Sequence, residues 1–109
     1  MGRRIRVWRE GGMYHGTLQC VGRQFMLKPD SRVNEIIGAS LGRALAKFPV
    51  ELHGLSTNIN HLGFVFSVGP SQVGHVSPFL QLFSSLSSRE LNRFYERDGH
   101  FWEIGRAHV

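Results

Sequence analysis

Between Leu62 and Phe66 the apolar residues Leu62, Phe64 and Phe66 alternate with His61, Gly63 and Val65. Side chains two apart on a strand share a face. This stretch therefore predicts a strand over about Asn60–Val68, with Leu62, Phe64 and Phe66 turned to a core and His61 on the other face. Val50–Leu55 forms a second short run just upstream, and Ser56–Ile59 turns between the two, so the pair predicts an antiparallel hairpin. Upstream, Val33, Ile36, Ile37, Leu41, Ala44, Leu45 and Phe48 follow helical spacing. Asp30 or Ser31 can cap that helix and Pro49 stops it. Gly38 and Gly42 cost it about 1 kcal/mol each against alanine, which suggests a compensating close approach to a sheet.

Met13–Val21 predicts the first strand, although Gly16 weakens it. A connection follows, with Phe25, Met26 and Leu27 as a short apolar patch. A second helix is expected from Ser77 as N-cap, with Pro78 at its first position, to about Arg97. Its apolar side is Phe79, Leu80, Leu82, Phe83, Leu86, Leu91 and Phe94. Asp98-Gly99 ends it, and His100–Glu103 starts a fourth strand. The order β-α-β-β-α-(β) is the split βαβ pattern. The fold class expected is α+β, a ferredoxin-like sandwich with an antiparallel sheet and two helices on one face. The final strand is hardly begun when the chain stops, so the sheet would keep a raw edge beside the first strand.

Length and charge narrow the function. At 109 residues the chain is one small domain. Its net charge of +5 points to an anionic partner, nucleic acid first. Arg3, Arg4, Arg6 and Arg9 make a basic arm over residues 1–12. Arg89, Arg93 and Arg97 are spaced by four and would stack on one helix face that could meet a DNA backbone. Solvated arginines are the plainer reading of both. Cys20 is the only cysteine, so an internal disulfide and a cysteine-built zinc site are excluded. No apolar run approaches a membrane span, and a cytoplasmic location is expected.

Several segments resemble the REP-associated tyrosine transposases, a branch of the single-tyrosine HUH transposases. They are GGMYH near the start, FMLKPDSRVNEIIGASLGRALAKFPVELHG in the middle, and NRFY and GHFWE later, covering most of residues 11–103 in order. The resemblance implies a nuclease domain that recognises DNA hairpins and cuts one strand through a phosphotyrosine link during transposition. It also implies a divalent metal, Mg or Mn, held by two histidines in a His-hydrophobic-His motif introduced by asparagine. Matching that asparagine to Asn60 places the first ligand at His61 and the second at Gly63, which has no side chain. The other register puts Ile59 at the partner position. His53 or His15 would have to substitute from a neighbouring strand.

The family's tyrosine lies on a helix after the fourth strand. Tyr14 and Tyr95 are the only tyrosines here, and neither holds that position. No catalytic residue is therefore assigned, and the chain is expected to be inactive by itself. The expected partner is single-stranded or hairpin DNA, with no membrane and with a homodimer left open. The alternatives are a nucleic-acid-binding module without chemistry, and a degenerate gene fragment. The domain is read as residues 13–103. Residues 104–109, within EIGRAHV, are read as a non-native tail, because that string matches the translation of a common sequencing adapter.

Overall fold

The computed structural model describes residues 13–103 and the strand backbone at 106–108. Strand β1 (Met13–Gln19) leads to helix α1 (Ser31–Lys47). The hairpin of β2 (Glu51–Thr57) and β3 (His61–Ser67) follows, then helix α2 (Val76–Phe94) and a three-residue strand β4 (Arg106–His108). The sheet order is β2-β3-β1-β4, and every pairing is antiparallel. This is the ferredoxin-like α+β arrangement expected from the sequence.

The alternation in β3 sets the layers. Leu62, Phe64 and Phe66 are buried, together with Tyr14 and Leu18 from β1. Both helices lie on that face: Val33, Ile36, Ile37, Leu41 and Ala44 of α1 and Phe79, Phe83 and Leu91 of α2 join the same core. Phe64 is its centre, edge-on to Phe79 and Phe83 at ring-centroid distances of 6.4 and 6.3 Å. Gly16 stands opposite Phe64 in the β1–β3 register, and a Cβ there would lie 2.6 Å from the Phe64 ring. The glycine that weakens β1 locally is thus what admits the ring.

Helix α1 begins where its cap predicts. The Asp30 carboxylate accepts from the Arg32 and Val33 N–H groups at 2.8 and 3.3 Å. Gly38 and Gly42 depart from expectation. Both are exposed, and a Cβ at either would meet nothing within 4 Å. They lie on the solvent side of α1 and permit no close approach.

Helix α2 starts one residue before the expected cap, at Val76, after a 3-10 turn over Val73–His75, and His75 makes no side-chain cap bond. Pro78 still lies in the first turn, where its missing N–H costs nothing. The helix stops at Phe94 rather than Arg97, because Glu96 takes a left-handed conformation at φ 51°.

The chain then returns to β1. Val21 N–H donates to Phe101 O at 2.8 Å, and Glu103 N–H donates to Gln19 O at 2.7 Å, on either side of a Cys20–Trp102 bridge. Pairing resumes at Thr17 with Arg106, so the raw edge expected beside β1 is covered in part and the final strand is short rather than missing. Trp102 is pinned to α2: its indole N–H donates to Ser87 Oγ at 2.9 Å, and that hydroxyl donates to Phe83 O at 2.7 Å. No helix among the described residues is long and apolar enough to cross a membrane.

Candidate functional site

Period two sends His61, Gly63, Val65 and Ser67 to the sheet face away from the helices, beside His15 and Thr17 of β1. Ser56 and Thr57 of β2 pair with Gly63 and Leu62. Gly54 and Gly63 carry no side chains, and a shallow depression of about 260 Å³ opens there. His15, Leu55, Ser56 and Val65 line it with the two glycines and Phe64. A Cβ built on Gly63 would lie 3.2 Å from His15 Nε2 and 3.1 Å from Ser56 Oγ. The place of the expected second metal histidine is therefore roofed by a histidine from β1 and a serine from β2.

His61 is itself tied down. Its Nε2 lies 2.8 Å from Asn58 Nδ2, and its Nδ1 lies 3.3 Å from Asn60 Oδ1. An amide nitrogen can only donate, so in this arrangement the Asn58 N–H occupies the Nε2 lone pair while Nδ1 faces the Asn60 carbonyl oxygen. Asn60 thus works as a clamp on His61. Its own amide also donates to Arg23 O at 3.3 Å.

His53 stands at a bulge in β2, between Leu52 paired to Phe66 and Gly54 paired to Val65. Its Nε2 is 2.7 Å from Ser67 Oγ, whose proton goes to Glu51 Oε2 at 3.2 Å. That cluster is four to six residues along β3 from His61. Among the described residues no three His, Cys, Asp or Glu side chains gather to hold a metal ion. One imidazole with an occupied lone pair, facing a glycine, does not fit a divalent cation that needs several converging donors.

Neither tyrosine is presented as a nucleophile. Tyr14 is buried on the helix side of the sheet, its ring 5.6 Å from Phe66. The Tyr95 hydroxyl donates to Met26 O, and desolvation, then the Asp30 charge, raises its pKa. A phenol held protonated against a backbone carbonyl is a weak nucleophile. Cys20 is also withdrawn from chemistry: burial pushes its thiol up to about 11.

The arginines divide. Arg3, Arg4 and Arg6 lie outside the described residues. Arg89 and Arg93 sit on α2 on either side of Glu90, at 4.0 and 3.6 Å from its carboxylate. Both are well exposed, so these pairs leave the face basic. Arg97 does not continue their row, because the helix has ended. Its guanidinium donates to Asn92 Oδ1 at 2.6 Å and His100 O at 3.0 Å and lies over the Phe101 ring. It secures the turn that brings the chain back to β1.

The apolar patch at residues 25–27 divides in the fold. Met26 and Leu27 of the apolar patch are buried, whereas Phe25 is 61 % exposed. Nothing in the three letters separates them. The separation comes from Leu27 N–H bonding to Ile59 O at 2.8 Å, which turns the patch against the hairpin.

No family model matches the sequence, and no curated protein matches it. Solved structures do match in fold. A REP-associated tyrosine transposase bound to a REP hairpin is similar at a TM-score of 0.79 and 12 % identity, over 99 % of this chain and 61 % of that one. A putative transposase from Deinococcus radiodurans R1 is similar at a TM-score of 0.69 and 15 % identity, over 99 % of this chain and 85 % of that one. The chain thus has the fold of these transposases and spans about three fifths of the hairpin-bound one.

Proposed function

We propose that this chain is a DNA-binding domain of the transposase kind that holds hairpin DNA without cutting it. The observation that carries the reading is the fold shared, over 99 % of the chain, with a transposase bound to a REP hairpin. The charge supports it. Thirteen lysines and arginines stand against eight carboxylates, and Arg89 and Arg93 project from α2. Cations of this kind hold a phosphate backbone without reading its sequence.

The chemistry is absent for reasons that stand apart from the fold. Strand cleavage of this kind needs a nucleophile and an ion to polarise the phosphate. Gly63 supplies no ligand, His61 has its free lone pair taken by Asn58, and Tyr14 and Tyr95 are packed. Residues 13–103 form the binding unit in this reading, and it acts in the cytoplasm.

The test is fluorescence anisotropy of the purified chain with a labelled DNA hairpin at several salt concentrations. Binding that weakens on a log–log slope of about −0.9 per phosphate contact supports the reading. No binding at 50 mM salt, with the protein folded, refutes it.

A further inference from the structure

The polar side chains on the open face of the sheet fall into two groups. His61, His53, Ser67 and Glu51 are engaged with one another or with Asn58 and Asn60. His15 and Ser56 have no hydrogen-bond partner among the described residues. They stand on β1 and β2, the strands on either side of β3, and converge on Gly63. His15 Nε2 and Ser56 Oγ lie 3.2 and 3.1 Å from the one point that a Cβ at Gly63 would take. Two polar groups free to donate or accept thus meet over a residue that has no side chain.

The space beside them is of ligand size. The depression holds about 260 Å³, and a cavity of about 150 Å³ suffices for a benzene ring. A Cβ at Gly54 would meet nothing within 4 Å, so the side of the depression at β2 is open. Leu55, Val65 and Phe64 supply apolar lining, and no Asp, Glu, Lys or Arg lines it. Such a lining suits an uncharged flat ring rather than a phosphate or a carboxylate. A serine hydroxyl both donates and accepts, and a neutral imidazole offers one N–H and one lone pair. Their complement is a ring with an N–H on one side and a bare nitrogen on the other.

We infer that the gap at Gly63 is a binding site for a small uncharged heteroaromatic ring carrying both a ring N–H and an unprotonated ring nitrogen, of the benzimidazole kind. The ring lies over Gly63 and Gly54, with its two nitrogens toward His15 and Ser56. This goes beyond the hairpin reading and stands without it, since no DNA contact enters the argument.

The experiment titrates benzimidazole into the isotopically labelled full chain and follows the backbone amide resonances by NMR. Indole, equal in shape but without the bare nitrogen, is the control. Wild type should show saturable shifts centred on residues 54–56 and 63–65, and benzimidazole should bind about 2- to 13-fold more tightly than indole, the worth of one hydrogen bond. Ser56→Ala and His15→Ala should each shrink that preference while leaving the spectrum folded. Gly63→Val, which fills the gap, should abolish the shifts. Shifts that do not saturate, equal binding of benzimidazole and indole, or undiminished binding to a folded Gly63→Val protein each overturn the inference. Hairpin binding by wild type is measured separately and is unaffected by any of these outcomes.

Discussion

Placing a histidine at position 63 is the sharpest perturbation of the candidate site. Gly63→His would place two imidazoles, at 61 and 63, on one face of β3, the spacing at which both reach one ion. The new Cβ would lie 3.1 Å from Ser56 Oγ and 3.2 Å from His15 Nε2, tighter than ordinary contact. Both atoms are the ends of side chains at a solvent-facing surface, so rotation relieves the contact and the fold is kept. Metal binding must also free His61 Nε2 from Asn58. A neutral hydrogen bond of this kind is worth about 0.5–1.5 kcal/mol, so Asn58 lowers the pair's affinity by about 2- to 13-fold. The assay is thermal unfolding with and without Mn²⁺ or Co²⁺. Ion at 100 times its dissociation constant adds about 2.7 kcal/mol, which for a domain this size raises Tm by roughly 10 °C or more. Wild type should show no such shift, Gly63→His should show it, and Gly63→His with Asn58→Ala should reach it at lower ion concentration. Adding His61→Ala should abolish it. A folded Gly63→His protein whose melting ignores both ions would refute the placement of the site.

Other predictions concern the scaffold. Gly38→Ala and Gly42→Ala should each stabilise by up to about 1 kcal/mol in chemical denaturation, because both positions are helical, exposed and open. Gly16→Ala should destabilise by about 1–3 kcal/mol, since its Cβ would meet a Phe64 ring wedged between Phe79 and Phe83. Ser87→Ala should cost about 1–3 kcal/mol by stranding the buried Trp102 N–H. Cys20 should resist a thiol reagent until the chain unfolds. Its raised pKa also means that stability is whole below the unfolded thiol's pKa and falls as pH rises past about 9, because the unfolded chain ionises first.

The sequence carried the layers well where one physical signal ruled. The alternation at Leu62, Phe64 and Phe66 and the 3.6-residue spacing from Val33 to Ala44 both placed their side chains in the core. Asp30 was legible because its capping bonds are local. The misses need contacts far apart in the chain. Gly38 and Gly42 suggest a close approach, but which side of α1 they occupy is settled only by packing. Residues of β2 are exposed apart from half-buried Leu52, because that edge strand receives little cover. At the site, Asn60-His61 was visible as a pair, whereas the His15 and Ser56 side chains over Gly63 follow from strand register. Arg97 looked like one more step of a helical row. The left-handed Glu96 ended the helix and gave that guanidinium a structural task.

Binding without cleavage is tested most directly by incubating the chain with an end-labelled hairpin bearing single-stranded flanks, in Mn²⁺, and splitting the sample between a native and a denaturing gel. The expected result is a retarded complex on the first, and on the second intact DNA with no protein-linked band. A shortened strand, or a DNA–protein adduct that survives denaturation, would contradict it.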